Sequence, residues 1–68
     1  MNIQINEAGA WRSIATFGPR EQLGVMEAAA SLLRALHHNH TAMRIAEGSS
    51  PLFECSGPLY KWSAANGR

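Results

Sequence analysis

The single cysteine, Cys55, in a chain of only 68 residues is the feature that most constrains the fold. One thiol cannot close a disulfide within the chain, and no Cys and His spacing is that of a zinc finger. Domains below roughly 70 to 80 residues bury a core that barely offsets the entropy lost on ordering the chain. We therefore expect residues 1–68 to form one small domain that gains stability from self-association or from a larger assembly.

Composition narrows the class of protein. Hydrophobic residues make up 46% of the chain, and six Lys and Arg against five acidic residues leave a formal charge of +1. This apolar fraction is typical of a globular chain, and the charge is too small to favour generic binding to nucleic acid or anionic membrane. No apolar run approaches the roughly 18 residues that span a bilayer, and the first residues lack the pattern of a signal peptide. These features predict a cytoplasmic protein that does not interact with membranes.

Four segments alternate apolar and polar residues with the period of two that is typical of half-buried strands. In the second of them we expect Trp11, Ala15 and Phe17 to share one face. Residues 59–62 are expected to form a short edge strand or a packed tail, and residues 63–68 a frayed end. The four strands are predicted at residues 2–6, 11–17, 41–46 and 52–55.

The segment between the second and third strands has the three- and four-residue spacing of an amphipathic helix. Pro19 suits its first turn, and the helix is expected to end at about His37. The order β-β-α-β-β predicts an α+β two-layer sandwich, with this helix on an antiparallel sheet of four strands, or five if residues 59–62 pair. The apolar stripe expected to face the sheet comprises Leu23, Val25, Met26, Ala29, Ala30, Leu32, Leu33 and Leu36.

The outer side of this helix carries a row of small residues. Gly24, Ala28, Ser31 and Ala35 are spaced four, three and four apart, so they lie on one flank. Solvent-facing helix positions usually carry Glu, Lys, Gln or Arg, whereas small residues let another backbone come close. We predict a partner-binding surface here, for a second copy or another protein. The alternative is that alanine is simply the best helix former.

The strand at residues 2–6 is a second docking candidate. It carries no charge before Glu7 and no proline, so it lacks the usual protections of an exposed sheet edge. If it lies at the edge, it can pair with a strand of another chain.

Catalytic residues are sparse. Cys55 lies on an alternating strand and is expected to be buried as a small hydrophobic residue. The chain contains no Asp, its five Glu are scattered, and its glycines do not form a phosphate-binding loop. We therefore expect neither enzyme activity nor a cofactor.

A basic and aromatic set supports an alternative function. Arg12, Arg44 and Lys61 would share the outer sheet face in a favourable register, with Tyr60 and Trp62 available for stacking. This combination is typical of single-stranded nucleic-acid binding. The contrary interpretation is a solvated sheet face.

A histidine cluster supports a third function. His37 and His40 would share a face if the last helical turn persists, and neutral imidazoles bind zinc, nickel and copper. Cys55 or Glu47 would have to complete the ligand set. The contrary interpretation is a polar helix end, where a protonated histidine interacts favourably with the helix dipole.

Taken together, these patterns predict a small non-enzymatic protein-interaction module. Its partner would be a second copy in a homodimer, or a larger complex that it serves or inhibits. The short chain, the near-neutral charge and the lack of a catalytic set are typical of accessory proteins in bacterial and phage genomes. A weak nucleic-acid binder and a histidine-based metal protein stand as the alternatives.

Overall fold

The computed structural model describes residues 1–36 and 41–65. They form strands β1 (Asn2–Glu7), β2 (Ala10–Thr16), β3 (Ala42–Glu47), β4 (Ser50–Ser56) and β5 (Ser63–Ala64), and helix α1 (Gln22–Ala35), which follows a 3-10 turn at Pro19–Glu21. All five strands belong to one antiparallel sheet in the order β2-β1-β3-β4-β5. The predicted α+β class, with one helix between two strand pairs, is confirmed.

Tight turns account for the antiparallel pairing of β1 with β2 and of β3 with β4. Ala8 and Gly9 both have positive φ, at 53° and 85°, which is the backbone of a type I′ hairpin turn. Gly48 begins the second hairpin turn with a φ of 62°, a conformation that glycine adopts without strain. Because both loops have two residues, the residues that flank each turn pair directly with each other, Glu7 with Ala10 and Glu47 with Ser50.

The core lies between α1 and the middle of the sheet. β3 is the central strand, and its Met43 and Ile45 are almost fully buried. On β1 and β4, Ile3 and Cys55 point to the same side, as their pairing with Ile45 and Met43 requires. Buried residues of the helix complete this layer, at Met26, Ala30 and Leu33.

The prediction that Trp11 shares one face of β2 with Ala15 is wrong. A β-bulge shifts the register, so Ile3 pairs with Ala15 whereas the next residue, Gln4, pairs with Ser13. The extra residue, Ile14, places Ala15 and Trp11 on opposite faces of the sheet, because side chains alternate along a strand. Trp11 therefore points away from the helix.

The helix buries a narrower stripe than its sequence predicts. Leu23, Leu32 and Leu36 are 73%, 58% and 54% exposed, although all three were expected in the core. Met26, Ala30 and Leu33 form the buried line of α1, and Val25 and Ala29 beside it are only partly buried against the core. The three leucines lie on the two sides of that line.

The C-terminal segment also departs from its prediction. Residues 59–62 are not a strand, and Tyr60 turns into the core with a positive φ of 54° and only 1% exposure. The fifth strand is instead Ser63–Ala64, which pairs with β4 where a frayed end was expected. Anchoring by Tyr60 is what brings these residues back to the sheet edge.

The first strand is not at an edge. β1 pairs with β2 on one side and with β3 on the other, so its backbone is not available to another chain. The edges of the sheet are β2 and β5. The predicted docking site at the edge strand 2–6 is therefore wrong. The longer open edge of the sheet is strand β2, Ala10–Thr16.

The buried Tyr60 hydroxyl gives a stability prediction. No hydrogen bond reaches it within the described residues, and an unsatisfied buried polar group costs about 1–3 kcal/mol. Tyr60→Phe should raise the free energy of unfolding by about 1 kcal/mol in urea denaturation, whereas Tyr60→Ala should lower it by about 3–5 kcal/mol because it leaves a cavity. A clear loss of stability in Tyr60→Phe would contradict this account.

Candidate functional site

The two sides of α1 meet different surroundings. On one side, Arg34 donates hydrogen bonds to the carbonyl oxygens of Leu59 and Tyr60, at 3.1 and 3.3 Å. The indole nitrogen of Trp62 donates to the Met26 carbonyl at 2.8 Å. The segment after β4 thus covers the Arg34 side of the helix. The other side faces β2, at the opposite edge of the sheet.

Strand β2 extends beyond the cover of the helix. All seven of its residues are exposed. Ala10, Arg12 and Ala15 lie on its helix side, where they pair with Glu7, Ile5 and Ile3. We call this surface the β2 ledge. Its side chains rise little above the sheet, because two of the three are alanine.

The helix surface beside the ledge is apolar. Val25, Ala29, Leu32 and Leu36 follow one another at four, three and four residues, and the first two pack against the core. Leu32 and Leu36 continue this row into solvent. We call this exposed pair the leucine flank. It gives the open side of the molecule an apolar wall next to the ledge.

The predicted small-residue stripe lies on the helix face that points away from the sheet. Gly24, Ala28, Ser31 and Ala35 are all exposed, opposite the buried Met26 and Leu33. A methyl group added at Gly24 would meet nothing within 4 Å. Packing within the chain therefore gives no steric reason for glycine at this position, where alanine would favour the helix by about 1 kcal/mol.

A second surface lies on the helix-free face of the sheet. It is a concavity of about 430 Å³, and we call it the outer concavity. One side is formed by Trp11 and the other by Gly57, Pro58, Leu59 and Lys61. Ala42, Glu54, Ser56 and Ser63 also line it. Its size falls within the 300–1,000 Å³ of small-molecule sites.

Trp11 is held in place as one wall of the outer concavity. The Arg44 guanidinium carbon lies 4.2 Å from the centroid of its ring, a cation–π arrangement. Arg44 is itself fixed, because its Nε donates to Gln4 Oε1 at 2.6 Å. The bulge in β2 is the reason that this tryptophan stands on the outer face.

The opposite wall is equally constrained. Tyr60 is buried beneath it, the Tyr60 amide donates to the Ser56 carbonyl at 3.1 Å, and Arg34 holds the carbonyls of Leu59 and Tyr60. Glu54 and Lys61 line the concavity with opposite charges. Neither forms an ion pair with any residue that the structure describes.

The predicted nucleic-acid set is not brought together. Arg12 lies on the helix side of the sheet and pairs with Glu7 at 3.2 Å, whereas Arg44 lies on the outer face against Trp11. Tyr60 and Trp62, expected to stack on bases, contribute to the core or pack against it. Lys61 alone of the tail residues in that set lines the outer concavity. Sequence reasoning missed Trp11 because the bulge leaves no mark on the alternation.

The predicted metal ligands His37 and His40 lie outside the described residues. Among residues 1–36 and 41–65, no three His, Cys, Asp or Glu side chains converge on a common point. The metal hypothesis is therefore not addressed by the described geometry.

Cys55 is buried on the helix side of β4. Burial raises the pKa of its thiol from 9.0 to about 11, and the charge of Arg34 opposes this only in part. A thiol in this state is protonated at neutral pH and is a poor nucleophile.

The thiol pKa gives a reactivity prediction. At pH 8 the folded protein should react with iodoacetamide about 100-fold more slowly than the protein unfolded in guanidinium chloride, because the raised pKa lowers the thiolate fraction by about that factor. The measurement is the alkylation rate by mass spectrometry. Equal rates in the two states would show that Cys55 is accessible and that folding does not raise the pKa of its thiol.

Comparison with known proteins does not assign the chain to a family. The chain matches no protein-family model, no curated protein and no solved structure. Within the part of the chain that the structure describes, no helix is both long and apolar enough to cross a membrane. The two surfaces described above are therefore the features from which a function can be inferred.

Proposed function

We propose that the chain is a non-enzymatic protein-interaction module that acts as a homodimer. The observation that carries the proposal is that the open side of the molecule combines an uncovered strand, β2, with the apolar wall of Leu32 and Leu36. Apolar side chains exposed side by side next to an open strand are typical of a protein-binding surface. A homodimer also supplies the additional burial that a core of this size calls for.

A second copy fits this surface because the molecule carries both halves of the contact. The small-residue stripe allows a close approach, and the β2 ledge is low enough to receive a helix. If the helix-bearing faces of two copies meet about a twofold axis, each helix lies on its own sheet and under the ledge of its partner. The leucine flanks of the two helices then meet each other. The assembly is a three-layer sandwich of sheet, helix pair and sheet.

Charge complementarity favours the same occupant. The only charged side chain on the ledge, Arg12, is neutralised by Glu7 at 3.2 Å. The small-residue stripe and the leucine flank contain no charged residue. Two copies can therefore approach without like charges facing each other, which an isologous contact requires because it brings identical patches together.

The dimer predicts a distinctive pattern of substitutions. Ala28→Arg on the stripe and Leu32→Lys on the leucine flank should each weaken dimerisation at least about tenfold, because a charge would be buried without a partner. Leu23→Lys should leave dimerisation unchanged, since Leu23 is the most exposed of the helix leucines and lies on the Arg34 side. The measurement is sedimentation equilibrium over a micromolar concentration series.

Circular dichroism and urea unfolding at the same concentrations separate lost association from lost folding. The expected result is helical and strand signal in all three variants, with mass near the 7.4 kDa of one chain only for Ala28→Arg and Leu32→Lys. A wild-type protein of that mass throughout the series would overturn the proposal. Equal effects of Leu23→Lys and Leu32→Lys would also contradict it, because the Arg34 side of the helix takes no part in the dimer.

A further inference from the structure

We infer that the outer concavity binds a small zwitterion of the α-amino-acid class. Three features line it: a fixed aromatic wall at Trp11, the Glu54 carboxylate and the Lys61 ammonium group, neither of which forms an ion pair with a described residue. This inference is independent of the dimer, because the concavity lies on the helix-free face of the sheet. In the three-layer assembly both concavities remain open to solvent.

The walls of the concavity are preorganised, which lowers the entropy lost on binding. Trp11 is held by Arg44, and Arg44 by Gln4. The opposite rim is held by the buried Tyr60, whose φ of 54° is strained for a bulky residue. Strain of this kind persists only where the surrounding structure enforces it, and it is concentrated at ligand sites.

The charges select the chemistry of the ligand. Lys61 favours a carboxylate and Glu54 an ammonium group, whereas the aromatic face of Trp11 and the adjacent Pro58 and Leu59 favour an apolar group. A molecule with all three groups is a free amino acid or a short peptide with both termini free. A nucleotide or an inorganic phosphate lacks the ammonium group that Glu54 favours, so it would leave this carboxylate with only its cross-strand neighbour Arg44 as a nearby positive charge.

The volume of the outer concavity also favours an amino acid or a short peptide as the ligand. About 430 Å³ holds an amino acid or a dipeptide but not a folded partner. The site opens to solvent on one side, so we expect weak, rapidly reversible binding. Charge pairs at such exposed positions contribute about 0.2–1 kcal/mol each, and their removal should therefore weaken binding by a factor of up to about five.

The test titrates the full chain, labelled with ¹⁵N, with three matched ligands and follows the Trp11 indole N–H by NMR. L-Leucine carries both charges, L-leucinamide lacks the carboxylate, and N-acetyl-L-leucine lacks the ammonium group. Leucine should shift the Trp11 signal and bind about three-fold more tightly than either analogue. The Trp62 indole, which is hydrogen-bonded to the helix, serves as an internal control and should not shift.

Two substitutions assign each charge to its partner. Lys61→Met should abolish the preference for leucine over leucinamide, and Glu54→Gln the preference for leucine over N-acetyl-leucine. Glu27→Gln, an exposed position on the helix, should change neither. The dipeptide Leu-Gly distinguishes the source, since tighter binding than leucine identifies a peptide and weaker binding a free amino acid.

Two results would overturn the inference. One is the absence of any shift of Trp11 at millimolar leucine, and the other is equal binding of all three ligands. Sedimentation of the same sample shows whether the dimer is present, so failure of ligand binding is distinguished from failure of the proposed homodimer.

Discussion

The burial of Tyr60 is the interaction on which the edge of this small fold depends. Its ring belongs to the same core cluster as Met43 and Ile45, the other two largest fully buried side chains. By turning inward at a positive φ, it directs the following residues back to β4, where Ser63 and Ala64 add the fifth strand. Arg34 secures the same turn from the helix. One aromatic ring thus joins helix, sheet and tail in a chain that has no disulfide.

Most of the architecture could be predicted from the sequence, because it follows from local patterns. The alternation at Ile3 and Ile5 and again at Met43 and Ile45 identifies strands, and Pro19 marks the start of the helical segment. The burial of Cys55 also followed from alternation. These features depend on neighbours in the chain, so a periodic pattern contains the information that determines them.

The candidate surfaces were less predictable because they depend on contacts between distant segments. The bulge that turns Trp11 outward arises from the register between two strands, which the composition of either strand does not reveal. Likewise, the exposure of Leu32 reflects how far the sheet extends beneath the helix. The sequence around Tyr60 is also compatible with an edge strand, so its burial could not be predicted. The small residues at Gly24 and Ala28 could be identified, whereas the ledge opposite them could not.

Strand β2 has an unusual place in this molecule, because it contributes no buried side chain and yet borders both candidate surfaces. Trp11 belongs to the outer concavity, and its neighbour Arg12 belongs to the ledge. Adjacent positions of one strand therefore serve opposite faces of the sheet. Such a strand can accumulate substitutions with little effect on the core, and the residues of one face can change while those of the other are left intact.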